Sequence, residues 1–221
     1  MKINLKERQK IVDFGLRMVA DHLTTGTGGN LSLALRLEKK IFISPSGIPY
    51  DQLEADDISV LDFSGRHLAG KAPSSEWHLH LELYRNRPEI NAVVHTHSRF
   101  ATTFAVLNQP IPACHYLIGI SGADQVRVAP YATFGTPELA RVTAVALKND
   151  NCILMANHGL ITVGKSLDDS YNTALYIEEV AELYYRARSL GEPILLSADQ
   201  MQEAKARFRT YGRQTAMDLR S

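Results

Sequence analysis

Asn91-Ala-Val-Val-His-Thr-His97 is the stretch on which the reading of this chain turns. An apolar run that gives way to alternating polar residues predicts a buried strand. Because alternate strand residues point the same way, His95 and His97 share one face while Thr96 points to the other. A second short apolar run, Ile153-Leu-Met-Ala-Asn-His-Gly-Leu160, carries His158 where sheet pairing can bring it alongside. Three imidazoles on one ion leave a coordination position open. That is the pattern of a catalytic zinc site, since structural sites close their shell, usually with thiolates. The chain supplies its own control in His78 and His80, which have the same spacing but lie in Ser74-Ser-Glu-Trp-His-Leu-His-Leu-Glu-Leu-Tyr-Arg85. There Trp77, His80, Leu81 and Tyr84 recur at helical spacing, so His78 and His80 splay apart, His80 toward the packed face and His78 toward solvent.

Working outward, 221 residues support one substantial core, and a single domain over 1–221 is expected. The 24 basic and 24 acidic residues cancel, and no basic stretch is interleaved with aromatics, which argues against nucleic acid and anionic membranes as partners. A small-molecule partner is expected instead. The opening MKINLKERQK is charged where a signal peptide needs its apolar segment, and no apolar run reaches the roughly 18 residues of a membrane span, so the expectation is a cytoplasmic protein. Cys114 and Cys152 are too few for a disulfide framework or a thiolate metal site, and both are expected to be reduced, buried and inert.

Apolar positions Ile11, Val12, Gly15, Leu16, Met18, Val19 and Leu23 form one stripe, predicting an opening helix from Leu5 to Leu23. Strands are expected around 40–44 and 58–62, with turns at Ser46-Gly47 and Ser64-Gly65. A helix is expected to start at Ser74 or Ser75 and to end near Arg87, before Pro88. Thr136-Pro137-Glu138 reads as a cap, a first-turn proline and a first-turn acid, opening a helix to about Lys148. Ser166 with Asp169 begins the longest helix, which ends near Gly191, and Ser197 with Gln200 begins the last. The mixed order suggests a layered α/β or α+β sheet rather than a regular parallel series.

Three segments are suited to hold a phosphate. Gly26-Thr-Gly-Gly-Asn30 is a glycine-rich turn able to present backbone N–H groups and the Asn30 amide. Ser44-Pro-Ser-Gly-Ile-Pro-Tyr50 offers the Ser46 hydroxyl and the Gly47 N–H, and Pro73-Ser-Ser-Glu76 places Ser74 and Ser75 at a helix N-terminus. Neither a P-loop nor a strand followed by GxGxxG is present, which excludes the usual ATP and dinucleotide cradles. Glu76, directly after the two serines, is the candidate base beside the metal.

Taken together and in this order, GTGGN, SPSGIPY, PSSEWH, VVHTH, IPACHY, APYATFGT, NHGL and FRTYG resemble the class II aldolase/adducin family from about residue 8 to residue 213. The resemblance implies a central, mainly antiparallel β-sheet flanked by helices and a homotetramer with active sites between subunits. It implies one zinc per subunit on His95, His97 and His158, with Glu76 as a fourth ligand that leaves when substrate binds and then serves as base. It places a substrate phosphate on Gly29, Asn30, Ser46, Gly47, Ser74 and Ser75. It gives Tyr116 of a neighbouring subunit the protonation of the new alkoxide, and Phe134, Phe208 and Tyr211 the positioning of the aldehyde. The implied reaction is reversible cleavage of a deoxyketose 1-phosphate, such as L-fuculose 1-phosphate, to dihydroxyacetone phosphate and L-lactaldehyde, with zinc stabilising the enediolate. A 5-deoxypentulose 1-phosphate is the alternative substrate, and epimerase, dehydratase or decarboxylase chemistry and a non-catalytic adducin-like module are the alternative roles. Family epimerases tend to carry aspartate where this chain has Glu76, and an interaction module has no need of a full ligand set.

Overall fold

The protein is described by a computed structural model over residues 4–208, so Tyr211 and the last ten residues lie outside the described part. Eight strands form one sheet: β1 Asn30–Leu35, β2 Lys40–Ile43, β3 Ser59–Asp62, β4 His67–Ala69, β5 Ala92–Thr96, β6 Val128–Ala129, β7 Cys152–Met155 and β8 Gly159–Gly164. Their spatial order is β4-β3-β2-β1-β5-β8-β7-β6, and every pairing is antiparallel except β6 with β7. Six α-helices accompany it: α1 Leu5–Ala20, α2 Trp77–Asn86, α3 Arg99–Val106, α4 Pro137–Leu147, α5 Leu167–Leu190 and α6 Ala198–Phe208.

Strand alternation divides the core in two. Leu31, Phe42, Val60, Ala92, Val94, Leu154 and Leu160 meet α1, α3 and α5 on one face. Ile41, Ile43, Leu61, Val93, Ile153, Ile161 and Val163 meet α2 and α4 on the other. A sheet covered on both faces needs strands without a polar side, which is why the NAVVHTH strand is apolar at consecutive positions. β5 lies between β1 and β8, so its end carries His95 into the middle of the fold.

Two helix starts and ends differ from the sequence expectation. α1 stops at Ala20 and not at Leu23, because His22 takes a left-handed conformation (φ 57°) and the Leu23 N–H donates to the Met18 carbonyl. Leu23 is the buried apolar residue that follows such a closure, so it belongs to the stripe without belonging to the helix. α2 begins at Trp77 and not at Ser74 or Ser75. Ser74 N–H donates to Ser44 O and Ser46 N–H to Ala72 O, which holds 72–74 extended against 44–46 and delays the helix. Glu76 therefore occupies the cap position, not the first turn.

The other boundaries were legible. Thr136 Oγ1 accepts from Leu139 N–H, Ser166 Oγ accepts from Asp169 N–H, and Ser197 and Gln200 cap each other reciprocally. No helix among the described residues is long and apolar enough to cross a membrane.

Candidate metal centre and active site

His95 is the penultimate residue of β5, His97 follows the strand end, and His158 sits in the turn joining β7 to β8. Their ligand atoms all lie within 4.8 Å of one another. Each is fixed from the backbone outward. The His97 N–H donates to Leu23 O, tying the strand end to the close of α1. Asn157 adopts φ 54°, which asparagine tolerates well, and its N–H donates to Ala105 O, so the turn presents His158 back toward β5. A Cβ on Gly159 would lie 2.4 Å from Thr96 O, so only glycine lets β8 come this close. His95 Nδ1 lies 3.0 Å from Leu160 O; donating there, it leaves Nε2 with its lone pair toward the cluster.

Glu76 completes the group. Its Oε2 is 3.2 Å from His95 Nε2 and its Oε1 is 3.3 Å from His158 Nε2. His97 Nε2 is 2.9 Å from His95 Nε2. Among the described residues Oε1 is buried without a hydrogen-bond partner, an arrangement that native interiors rarely leave uncompensated. Three imidazole nitrogens and a carboxylate oxygen thus converge, and a divalent cation of zinc type fits that donor set.

The electrostatics keep two of the three imidazoles, His97 and His158, neutral. Burial pushes His97 down to about 3 and His158 down to about 4, with His95 adding to both shifts and Glu76 opposing them. Burial acts against ionisation of Glu76, but the charge and hydrogen bond of His95, with His158 and Asn30, reverse it and hold the carboxyl well below the usual range. His95 is raised, because the neighbouring Glu76 carboxylate outweighs the burial that would lower it. His80, fully buried beneath them, is pushed down to about 3 by burial. These depressed groups are neutral in the fold and take protons on unfolding, so their contribution is complete above about 6.5 and is lost as the pH falls toward their folded values. His95 acts in the opposite sense but is one group against three. The chelated protein is therefore expected to lose melting temperature steadily from pH 6.5 to pH 4.5. A melting temperature flat across that window would contradict it.

The segments read as phosphate-binding lie around Glu76. Gly29 has φ 65°, and a Cβ there would stand 2.6 Å from His95 O, so the glycine turn packs directly on the metal strand. The bridge between Pro45 and Pro73 sets Ser46-Gly47 beside Ser74-Ser75. Ser46, Gly47 and Ser75 are exposed, whereas Ser74 and Asn30 are buried. Asn30 is partly committed: its Nδ2 donates to Glu76 Oε2 at 2.9 Å and its Oδ1 faces His80 Nε2 at 2.5 Å. A phosphate meeting this side chain finds only its remaining amide N–H.

The aromatic residues stand apart from the cluster. Tyr116 is exposed on a 3-10 turn, Tyr116–Ser121, and stacks on Phe208, with ring centroids 6.3 Å apart. Together they line a cleft with Tyr176 and Glu179 of α5. Phe134 is exposed beside Gly135, where a Cβ would stand 3.2 Å from Ser75 O. Among the described residues no hydrogen bond or ring contact joins Tyr116 or Phe134 to Glu76 or to the three histidines. Lys71 and Lys165 are exposed, and neither has the apolar setting of a Schiff-base lysine. Sequence reading placed Tyr84 on the packed face without a polar role and missed Ser32; the two prolong the contacts of Glu76 and Asn30 into the core. The signal was available in Glu76, His80 and Tyr84, spaced four apart on one helix face.

The family model described as Class II Aldolase and Adducin N-terminal domain matches residues 9–185. The chain is 43% identical over 205 residues to the L-fuculose phosphate aldolase of Haemophilus influenzae, covering 92% of this chain and 94% of that protein. It is 42% identical over 210 residues to the 5-deoxy-D-ribulose 1-phosphate aldolase of Bacillus thuringiensis, covering 95% and 98%. A solved L-fuculose 1-phosphate aldolase superposes with a TM-score of 0.90 at 38% identity, covering 92% of this chain and 96% of the other.

Proposed function

Since the chain belongs to the class II aldolase/adducin family, we propose that it is a zinc-dependent lyase that reversibly cleaves a deoxyketose 1-phosphate to dihydroxyacetone phosphate and a small aldehyde. L-fuculose 1-phosphate, giving L-lactaldehyde, is the leading substrate. A 5-deoxypentulose 1-phosphate is kept beside it because relatives of both kinds match at equal strength. The observation that carries the reading is the convergence of His95, His97, His158 and Glu76.

His95, His97 and His158 would hold the zinc, which when bound supplies Lewis-acid stabilisation of the negative charge that builds as a carbon–carbon bond breaks. The backbone N–H groups of Gly29 and Gly47, the hydroxyls of Ser46, Ser74 and Ser75 and the free Asn30 N–H receive the phosphate, fixing the sugar against Glu76. Glu76, held anionic in the fold, takes a proton from the hydroxymethylene carbon of dihydroxyacetone phosphate in the synthetic direction and returns it in cleavage. Tyr116 of the partner subunit gives its hydroxyl proton to the new alkoxide, with Phe134, Phe208 and Tyr211 shaping the aldehyde pocket. The exposure of Tyr116 and Phe134 supports that role in a homotetramer whose active sites lie between subunits. Glutamate at position 76 supports aldol over epimerase chemistry, and the intact donor set supports catalysis over an adducin-like binding role. The balanced charge supports an enzyme without a nucleic-acid or anionic-membrane partner.

The test is release of dihydroxyacetone phosphate from L-fuculose 1-phosphate and, separately, from 5-deoxyribulose 1-phosphate. Release that is lost on chelation and restored by zinc is expected, with the faster substrate naming the preferred aldehyde. Zinc-loaded protein that cleaves neither compound would overturn the reading.

A further inference from the structure

α2 and its cap residue turn an unusual face to the sheet: Glu76, His80 and Tyr84 are 5%, 0% and 0% exposed. Residues four apart on a helix advance by about 6 Å. Residues two apart on a strand advance by about 6.8 Å, so a helix and a strand lying side by side can interdigitate. β1 answers with Asn30 and Ser32, 5% and 0% exposed, on the face that Asn30 shares with its strand partner His95. The result is an unbroken buried chain. Tyr84 OH lies 2.7 Å from Ser32 Oγ, Ser32 Oγ 2.6 Å from His80 Nδ1, His80 Nε2 2.5 Å from Asn30 Oδ1, and Asn30 Nδ2 2.9 Å from Glu76 Oε2.

Chemistry gives this chain one direction. The Glu76 carboxylate can only accept, so Asn30 must present its amide nitrogen there and its oxygen to His80. That oxygen accepts, so the His80 proton is on Nε2 and its Nδ1 accepts from the Ser32 hydroxyl. Ser32 has no second proton, so Tyr84 donates to it at 2.7 Å, in preference to the Asn91 carbonyl oxygen at 3.4 Å. Every donor points toward Glu76, and it does so only at Oε2. Among the described residues Oε1 receives no hydrogen bond, with His158 Nε2 standing 3.3 Å away.

We propose that His80, backed by Ser32 and Tyr84, is a positioning residue for Glu76: acting through Asn30, it tethers Oε2 and leaves Oε1 as the oxygen that exchanges a proton with substrate. The assignment rests on Glu76 being the base of the proposed reaction. It makes the two oxygens of one carboxylate unequal, which neither the metal ligands nor the phosphate segments require.

Two measurements test it. In zinc-loaded full-length protein labelled with ¹⁵N-histidine, His80, identified by the signals missing from His80→Gln, is expected in the Nε2–H tautomer. The Nδ1–H tautomer would reverse the chain and overturn the proposal. In steady-state kinetics His80→Leu is expected to lower kcat by about 10- to 100-fold with zinc content and KM little changed. His80→Gln keeps a donor for Asn30 and an acceptor for Ser32, and is expected to recover most of that loss. A folded His80→Leu protein with full kcat, or equal losses of kcat and zinc in both variants, would show a merely structural residue. Absence of turnover in the unaltered protein would count against the functional reading instead, and the tautomer would still decide the polarity of the chain.

Discussion

His97→Ala protein is expected to bind zinc substoichiometrically and to cleave ketose 1-phosphate about 10³-fold or more slowly while keeping its fold. Of the three imidazoles His97 is the exposed one, lying beyond the end of β5, and its backbone bond to Leu23 O does not depend on its side chain. Its removal therefore opens no core cavity, unlike loss of the wholly buried His95. What it removes is one of three neutral donors, and with it the affinity that keeps the ion in place. Lewis-acid stabilisation worth about 4 kcal/mol corresponds to about 10³-fold in rate, a loss of the same order as that of a positioned proton-transfer group. Metal analysis, thermal melting and turnover measured together check this. A variant that melts normally, holds one zinc per chain and turns over normally would remove His97 from the ligand set.

Much of this site could be read from residues alone because its signals are local. The period of two in His95-Thr96-His97 is a property of any strand, and Thr96, buried on the opposite side, confirms the alternation. The caps at Thr136, Ser166 and Ser197 depend on bonds within four residues, so sequence shows them directly. Where sequence failed, the deciding contact was long-range. α2 starts late because the stretch before it is held extended by residues about thirty positions earlier, and no propensity within 73–77 reveals that. β1 was passed over as the tail of a glycine turn, although Asn30-Leu-Ser-Leu-Ala-Leu35 alternates, because its polar side is buried under α2 instead of facing water. The same burial hid Ser32 and Tyr84, whose identities matter only once β1 and α2 are side by side. The aromatic residues show the converse limit. Tyr116 and Phe134 were singled out by resemblance, and within one chain they are surface residues without a tie to the cluster.

Glu76→Gln is expected to retain zinc and to lose about 10²- to 10⁴-fold in kcat, the range associated with a positioned base. The substitution keeps the shape of a side chain that is 5% exposed, so the loss is one of chemistry and not of packing. Its orientation follows from the buried chain behind it. Asn30 presents an amide nitrogen, so the glutamine oxygen must stay at that side, and its NH₂ falls where Oε1 stands beside His158. An amide nitrogen in that place can neither accept a proton from substrate nor contribute to the metal, whereas the three imidazoles remain. Turnover should fall much further than KM rises, because the phosphate segments are untouched. The double variant sharpens the point. If His80 acts only through Glu76, His80→Leu costs nothing further once Glu76 is glutamine, and the two losses are strongly non-additive. If the losses multiply instead, His80 works by some other route. Near-normal kcat in Glu76→Gln alone would mean that the proton goes elsewhere, and it would remove Glu76 as the base while leaving the metal site intact.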